Sequence, residues 1–196
     1  GHDPGVCCHM HSGMALWLLG YPQRALERSR AGLGLATELA QASTIGNALP
    51  FAGIVYQLRG DVEAAREVAE SLIALSAEHG FSQWLAFGRA LEAWVQAAQG
   101  HAEAPGARLR RDIGEYCARN ELYTPFFLGL LASSLLRDGE ADAGLDTVLE
   151  ALTIAERSES PLWDPELYRV KGELLLARDP RAARDAEVAF RHAIDV

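Results

Sequence analysis

The stretch Ile54-Val-Tyr-Gln-Leu-Arg-Gly-Asp-Val-Glu-Ala-Ala65 contains the pattern on which the fold prediction rests. An apolar segment ends at Gly60, where glycine can supply the left-handed cap that closes a helix. Asp61 follows and can accept the free amide hydrogens of a second helix. The apolar residues of that second segment recur at steps of three or four, which places them on one face of a helix. They are Val62, Ala65, Val68, Ala69, Leu72 and Ile73. The stretch therefore predicts a helix, a tight turn and a second helix.

The same turn recurs along the chain. Glycine marks it at Gly20, Gly60, Gly100 and Gly139, with spacings of 40, 40 and 39, and Asp179-Pro180 falls 40 residues after Gly139. Recurrence at a fixed period is the signature of a repeat architecture. Sequence signals for β-strands are weak throughout. The prediction is an all-α fold of about five helix-turn-helix repeats, at about 5–41, 45–79, 83–119, 124–157 and 165–196. The ten predicted helices are 5–19, 22–41, 45–59, 61–79, 83–99, 102–119, 124–138, 141–157, 165–178 and 181–196.

Prolines support most of these boundaries and complicate one. Pro22 fits the first turn of a helix, where a missing N–H has no cost. Asp164-Pro165 and Asp179-Pro180 fit a capping residue followed by a first-turn proline. Pro50, however, lies inside the third predicted helix, where proline removes a hydrogen bond and clashes with the preceding turn. Either that helix begins near Leu49 or it is kinked there.

Composition and charge limit the classes of function. The 196 residues are 49% hydrophobic and 23% charged, which is ordinary for a globular protein. A formal net charge of -9 disfavours general binding to nucleic acid. No apolar run approaches the ~20 residues that span a bilayer, so no membrane association is expected. The three cysteines are Cys7, Cys8 and Cys117, and no signal peptide is visible, so a cytoplasmic location is expected. Because the sequence begins without Met and stops inside a helical pattern, we expect a fragment of a longer chain.

The repeat resembles the tetratricopeptide repeat (TPR), in which small residues on paired helices pack together. The last unit carries Gly172 and Leu175 on its first helix and an Ala-x3-Phe-x2-Ala pattern on its second, formed by Ala186, Phe190 and Ala193. The corresponding positions of earlier units are Gly53, Tyr56, Gly60 and Ala65, and Gly13, Leu16, Gly20 and Ala25. The resemblance implies a right-handed superhelix. HEAT-like arrays, which also have a period near 40, are the structural alternative.

Longer segments make the resemblance more specific, because they point to one group of repeat-containing proteins. They are Gly1-His-Asp-Pro-Gly-Val-Cys-Cys8, Leu16-Trp-Leu-Leu-Gly-Tyr-Pro22 with Ala25-Leu26, Tyr56-Gln-Leu-Arg59 and Glu166-Leu-Tyr-Arg-Val-Lys-Gly-Glu-Leu-Leu-Leu176. Together they are similar to the C-terminal repeats of bacterial multidomain proteins that join class III adenylate/guanylate cyclase domains, or a transcription regulator, to a signalling ATPase module. The resemblance implies a non-catalytic regulatory domain that binds a peptide, a partner domain (including one of the parent chain) or an effector in its concave groove. The alternatives are a small-molecule sensor of an ATPase-type transcriptional regulator and an oligomerisation module, which includes a homodimer.

The resemblance also implies which residues meet the partner, because the first helices of a TPR array line its concave face. By alignment to the repeat, the expected contact residues are Asn47, Gln57, Phe87, Trp94, Phe126, Glu166, Arg169 and Glu173. Aromatic and arginine side chains are frequent anchors of partner recognition. Glu166, Arg169 and Glu173 have a structural alternative, an ion-pair ladder on a helix surface. Trp84, Tyr123 and Trp163 lie near predicted loops and are expected to be packing residues.

One polar cluster could in principle hold a metal. His2, Asp3, Cys7, Cys8, His9 and His11 lie together, and Cys7 and His11 are four residues apart, as zinc ligands on a helix can be. No second pair with matching spacing follows, and adjacent cysteines on a helix point about 100° apart. The sequence also has no phosphate-binding loop and no recognisable pairing of a nucleophile with a base. We therefore predict no metal, no cofactor and no catalytic residue.

Overall fold

The computed structural model describes residues 2–100, 109–111, 113–114, 122–159 and 161–195. All regular secondary structure in these residues is helical, so the prediction of an all-α fold is confirmed. The helices, numbered here in chain order, are α1 Pro4–Leu18, α2 Pro22–Leu39, α3 Ala42–Leu58, α4 Val62–His79, α5 Ser82–Ala98, α6 Thr124–Arg137, α7 Ala141–Arg157, α8 Asp164–Arg178 and α9 Ala183–Asp195. Short 3-10 turns, Pro161–Trp163 and Pro180–Ala182, precede α8 and α9.

These nine helices match nine of the ten predictions to within three residues at each end. The tenth, predicted at 102–119 as the second helix of the third repeat, lies largely outside the described residues, as does Cys117. Residues 109–111 and 113–114 within it are helical.

The third helix begins at Ala42 and continues through Pro50, so the alternative start near Leu49 is wrong. A proline at this position leaves the carbonyl of Gly46 without its usual amide donor. Pro50 is buried, and α3 packs against α1, α2, α4 and α5. Most helix stability in proteins comes from such tertiary packing, which here outweighs the local penalty.

The predicted glycine turns are confirmed by their backbone angles. Gly20, Gly60, Gly100 and Gly139 have φ values of 77°, 71°, 70° and 79°, in the left-handed region that glycine adopts without a steric penalty. A second turn recurs between repeats, where the residues that follow α2 and α4, Ala40 and Gly80, have φ values of 52° and 71°. These two residues are 40 positions apart, so the repeat requires the same backbone conformation at both.

Two of the predicted capping aspartates form the expected hydrogen bonds. Asp61 Oδ1 accepts from the Ala64 amide at 3.4 Å at the start of α4, and Asp179 Oδ1 accepts from the Arg181 amide at 2.9 Å in the 3-10 turn that precedes α9. Asp164 does not cap α8: the helix begins at Asp164 itself, and Trp163 occupies the capping position without a side-chain hydrogen bond. The preceding 3-10 turn shifts the helix start by one residue, so the predicted cap is wrong at this position.

The chain divides into two compact units, Gly1–Gly100 and His101–Val196. The first contains α1 to α5, and the second contains α6 to α9. Within each unit a helix packs against the next one along the chain, and the first helices of neighbouring pairs also touch: α1 with α3, α3 with α5, and α6 with α8. Within each unit the first helices therefore form a layer of their own, as the TPR resemblance implies. That residues 1–196 form one repeat domain stays a prediction.

Small residues allow the paired helices to approach closely, as the TPR-like pattern predicts. A Cβ added at Gly172 would lie 2.5 Å from Phe190 Cε1, so the phenyl ring of α9 rests on the bare backbone of α8. Gly53 is approached in the same way by Leu91 and Val68. Such contacts leave no room for a side chain and explain why the repeat carries glycine there.

Among the described residues, the helices are all too short or too polar to cross a membrane.

Candidate functional site

An ion-pair ladder runs along α8. The Nε and Nη2 atoms of Arg169 donate to the two carboxylate oxygens of Glu166, at 2.7 Å each, and Nη1 donates to Glu173 Oε1 at 2.5 Å. The hydrogen bond to Glu166 is the main reason why the pKa of Arg169 lies above its usual range, and the charges of both glutamates add to it. The side chain of Arg169 is 44% exposed. The ladder is therefore formed, as the structural alternative predicts, and remains open to an external partner.

The second helix α4 carries the same arrangement. Arg66 pairs with Glu63 three residues before it and with Glu70 four residues after it. The hydrogen bond from Arg66 lowers the pKa of Glu63. Because α8 is a first helix and α4 is a second helix, the two ladders have matched geometry but belong to different helix layers. This makes the α4 ladder a natural control for the α8 ladder.

Two predicted amide residues lie on α3. Asn47 is half-buried, and its Nδ2 donates to the sulfur of Cys7 at 3.7 Å, linking α3 to α1. Gln57 is also half-buried, and its Oε1 is buried without a hydrogen bond. Sulfur is a weak acceptor, so the amide of Asn47 retains hydrogen-bonding capacity.

The three aromatic residues predicted to meet a partner lie in the helix packing instead. Phe87, Trp94 and Phe126 are 2%, 4% and 5% exposed, which corrects the expectation that they offer free faces to a groove. Phe87 packs near the bare backbone of Gly53 on α3. Trp94 stands 40 residues after the buried Ile54 and occupies the same core position. In a fold whose first helices touch each other, these positions lie between helices and not on the open surface.

The aromatic residues predicted to be packing residues do pack. The Phe126 ring lies 4.8 Å from the Trp163 ring, and Tyr123 lies 6.3 Å from it (centroid distances). Trp163 is buried, and its Nε1 donates to the carbonyl of Leu122 at 3.3 Å. Trp84 covers Gly46, where an added Cβ would lie 2.2 Å from the indole ring.

The histidine and cysteine cluster is spread around the start of α1. Asp3 caps the helix by accepting from the Val6 amide at 3.0 Å. His2 donates to the Ser43 carbonyl at 3.1 Å, and His11 donates to the Cys7 carbonyl at 2.8 Å, so both rings use a nitrogen within the protein. Nowhere in the described ranges do three or more such side chains come together as metal ligands would.

A cleft that the sequence does not indicate lies between α7 and α8, with a volume of about 550 Å³. Glu156, Glu159 and Asp164 line it together with Tyr168 and Lys171. Burial is the main reason why the pKa of Asp164 lies above its usual value, and the negative charge of Glu156 raises it further. The sequence shows acidic residues on both sides of the loop between two predicted helices, but their spacing cannot reveal a cavity.

Comparison with known proteins supports the fold. No family model and no curated protein matches this sequence. A solved structure with nearly identical TPR-like repeats, from a Podosopora anserina protein described as a kinesin light chain, is 14% identical with a TM-score of 0.55; the alignment covers 96% of this chain and 93% of that one. A single-substitution variant of that protein aligns with the same identity and TM-score and with 92% of its own chain covered. At this identity the likeness concerns the fold alone: this chain is similar to TPR-like helical repeats, as the sequence predicts.

Proposed function

We propose that this chain is a non-catalytic protein-interaction module of a multidomain cytoplasmic signalling protein, which binds a peptide or a partner domain through the first helices of its repeats. The exposed ladder on α8 is the observation that carries the proposal. An arginine that is held rigidly between two carboxylates presents a preorganised polar surface, and an incoming carboxylate or guanidinium can replace one of its members.

Five of the predicted contact residues are partly exposed, although the side-chain oxygen of Gln57 is itself buried. They are Asn47, Gln57, Glu166, Arg169 and Glu173. Phe87, Trp94 and Phe126 are buried and would support the first helices on which they lie.

Binding would act on the parent protein through its conformational equilibrium. Each repeat contacts its neighbours, so the curvature of a repeat array is easily changed. A partner that prefers one curvature shifts the population towards it and thereby biases an attached output domain, such as the cyclase or ATPase that the sequence resemblance implies.

A peptide-display selection on the immobilised chain tests the proposal. Selected peptides are measured by calorimetry against the wild type, Arg169→Gln and the matched control Arg66→Gln. We expect about tenfold weaker binding to Arg169→Gln, which corresponds to one lost charge-assisted contact, and unchanged binding to Arg66→Gln. Both variants should keep the wild-type unfolding temperature within a few degrees, since exposed ion pairs contribute little to stability.

Equal binding to the wild type and to Arg169→Gln would exclude the α8 ladder as the contact surface. A selection that yields no peptide, while the chain is folded by circular dichroism, would count against peptide binding altogether.

Self-association is a second candidate, and one surface feature favours it. Leu18, Leu19 and Tyr21 are 51%, 69% and 50% exposed and lie close together in the sequence at the turn between α1 and α2. Exposed apolar residues that cluster are typical of interfaces. Sedimentation equilibrium of the wild type and of Leu19→Ser decides this: a wild-type dimer that dissociates in the variant supports self-association, whereas a wild-type monomer excludes it.

A further inference from the structure

The cleft between α7 and α8 lies on a different side of α8 from the ion-pair ladder. An α-helix turns about 100° per residue. Asp164, Tyr168 and Lys171 therefore lie on nearly the opposite side of the helix from Arg169 and its two glutamates. Whatever occupies the cleft does not compete with a partner at the ladder.

The charges in the cleft are unbalanced. Three carboxylates, those of Glu156, Glu159 and Asp164, line it, whereas the one lysine of the sequence, Lys171, supplies the ammonium group. The Nζ atom of Lys171 lies 5.7 Å from the centroid of the Tyr168 ring. Asp164 Oδ1 is buried and accepts no hydrogen bond. A second cation in the cleft would relieve the repulsion among the carboxylates.

Apart from Thr153, whose hydroxyl donates to the Leu149 carbonyl, the remaining lining is apolar and suits the stem of a long basic side chain. Leu149, Leu152 and Pro161 contribute to the walls, and Leu149 is 46% exposed to solvent. Lysine and arginine bury their methylene groups along such surfaces while the charged end reaches a polar partner. A guanidinium group also stacks on an aromatic ring and pairs with a carboxylate through two parallel hydrogen bonds.

We propose that this cleft binds an arginine side chain of a peptide segment from a partner protein. The guanidinium lies among Glu156, Glu159 and Asp164, and the methylene stem packs against Leu152 and Tyr168. The volume of about 550 Å³ accommodates the arginine together with a neighbouring side chain. This site is additional to the contact surface proposed above and does not depend on it.

The test uses the whole chain and two matched probes, the peptide acetyl-Leu-Arg-Leu-amide and its citrulline counterpart. Citrulline has nearly the same shape as arginine but no charge. Binding is followed at low salt by amide chemical shifts and by calorimetry. We expect the arginine peptide to bind about tenfold more tightly than the citrulline peptide, with shifts concentrated on α7 and α8.

Variants assign the binding to the cleft. Glu156→Gln and Asp164→Asn should each weaken binding of the arginine peptide several-fold, whereas Lys171→Met should strengthen it, because a like charge is removed. Arg169→Gln, on the other side of α8, should leave this affinity unchanged, so the failure of one proposal is distinguishable from the failure of the other.

Several outcomes would overturn the inference. They are equal affinity for the two probes, weaker binding in Lys171→Met, shifts that lie elsewhere, and no binding at millimolar peptide. Tighter binding of a probe with glutamate in place of arginine would assign the cleft to an acidic ligand held by Lys171 instead.

Discussion

Two glycines of α2 differ only in what surrounds them, and a pair of alanine substitutions isolates that difference. A Cβ added at Gly32 would lie 2.1 Å from Met10 Cε and 2.9 Å from His9 Cβ, both on α1. A Cβ added at Gly34 would have no atom within 4 Å. Both positions lie inside the same helix, and neither has a left-handed backbone.

The expected magnitudes follow from these distances. Alanine at either position gains about 1 kcal/mol of helix propensity over glycine. Gly34→Ala should keep this gain and unfold roughly 2–4 °C higher than the wild type. Gly32→Ala must also displace the end of the Met10 side chain, which is 1% exposed, and it crowds His9 Cβ, which is fixed to the backbone of α1. Overpacking of this kind costs about 1–3 kcal/mol, so Gly32→Ala should be less stable than Gly34→Ala by that amount.

Urea unfolding followed by circular dichroism measures the difference, and amide exchange in α2 gives an independent local value. The double variant Gly32→Ala/Met10→Ala completes a thermodynamic cycle, in which the new methyl group partly fills the space that Met10 leaves. Met10→Ala should therefore be less harmful in the Gly32→Ala background than in the wild type. If Gly32→Ala is stabilised as much as Gly34→Ala, the close approach of α1 and α2 is refuted.

Three further predictions follow from the same structure. Ala40→Gly should raise the free energy of unfolding by about 1 kcal/mol and Gly80→Ala should lower it by about the same amount, because both positions require a left-handed backbone. Thermal unfolding measures both changes, and effects of the same sign would contradict this prediction. Asp61→Ala removes the cap of α4 and should lower the free energy of unfolding by about 1 kcal/mol, whereas Asp61→Ser should keep most of that stability. The midpoints of urea unfolding compare the two variants directly. Asp164 binds its proton more readily in the folded chain than in the unfolded chain, so its contribution to stability is lost as pH rises from about 3.8 through its raised pKa. Asp164→Asn does not titrate, so it should be more stable than the wild type at pH 7. If the free energies of unfolding of the variant and the wild type differ by the same amount at pH 3 and at pH 7, this prediction is wrong.

The sequence predicts the helices well because their signals are local. Gly60 and Asp61 mark the end of one helix and the start of the next, and the turn at Gly60 does form with φ 71°. Pro50 shows the limit of local reasoning. Its effect on α3 depends on how firmly neighbouring helices hold that segment, and this is a property of the tertiary structure.

The candidate site could be predicted only in part. The spacing of Glu166, Arg169 and Glu173 is enough to predict the ladder, because residues three and four apart on a helix are neighbours. The same reasoning fails for Trp94. Its position on a first helix is correct, but whether an aromatic side chain there faces solvent or another helix depends on the contact of α5 with α3.

The sequence by itself determined the helical period, the turns and the pairing of small residues, because these depend on the backbone preferences of residues close together in the chain. Only the tertiary structure decided which side chains are accessible. In that structure Phe87, Trp94 and Phe126 are buried, and a cleft lies between α7 and α8. Exposure and cavities arise where separate helices meet, and the angle and distance of that meeting are set by packing across the fold.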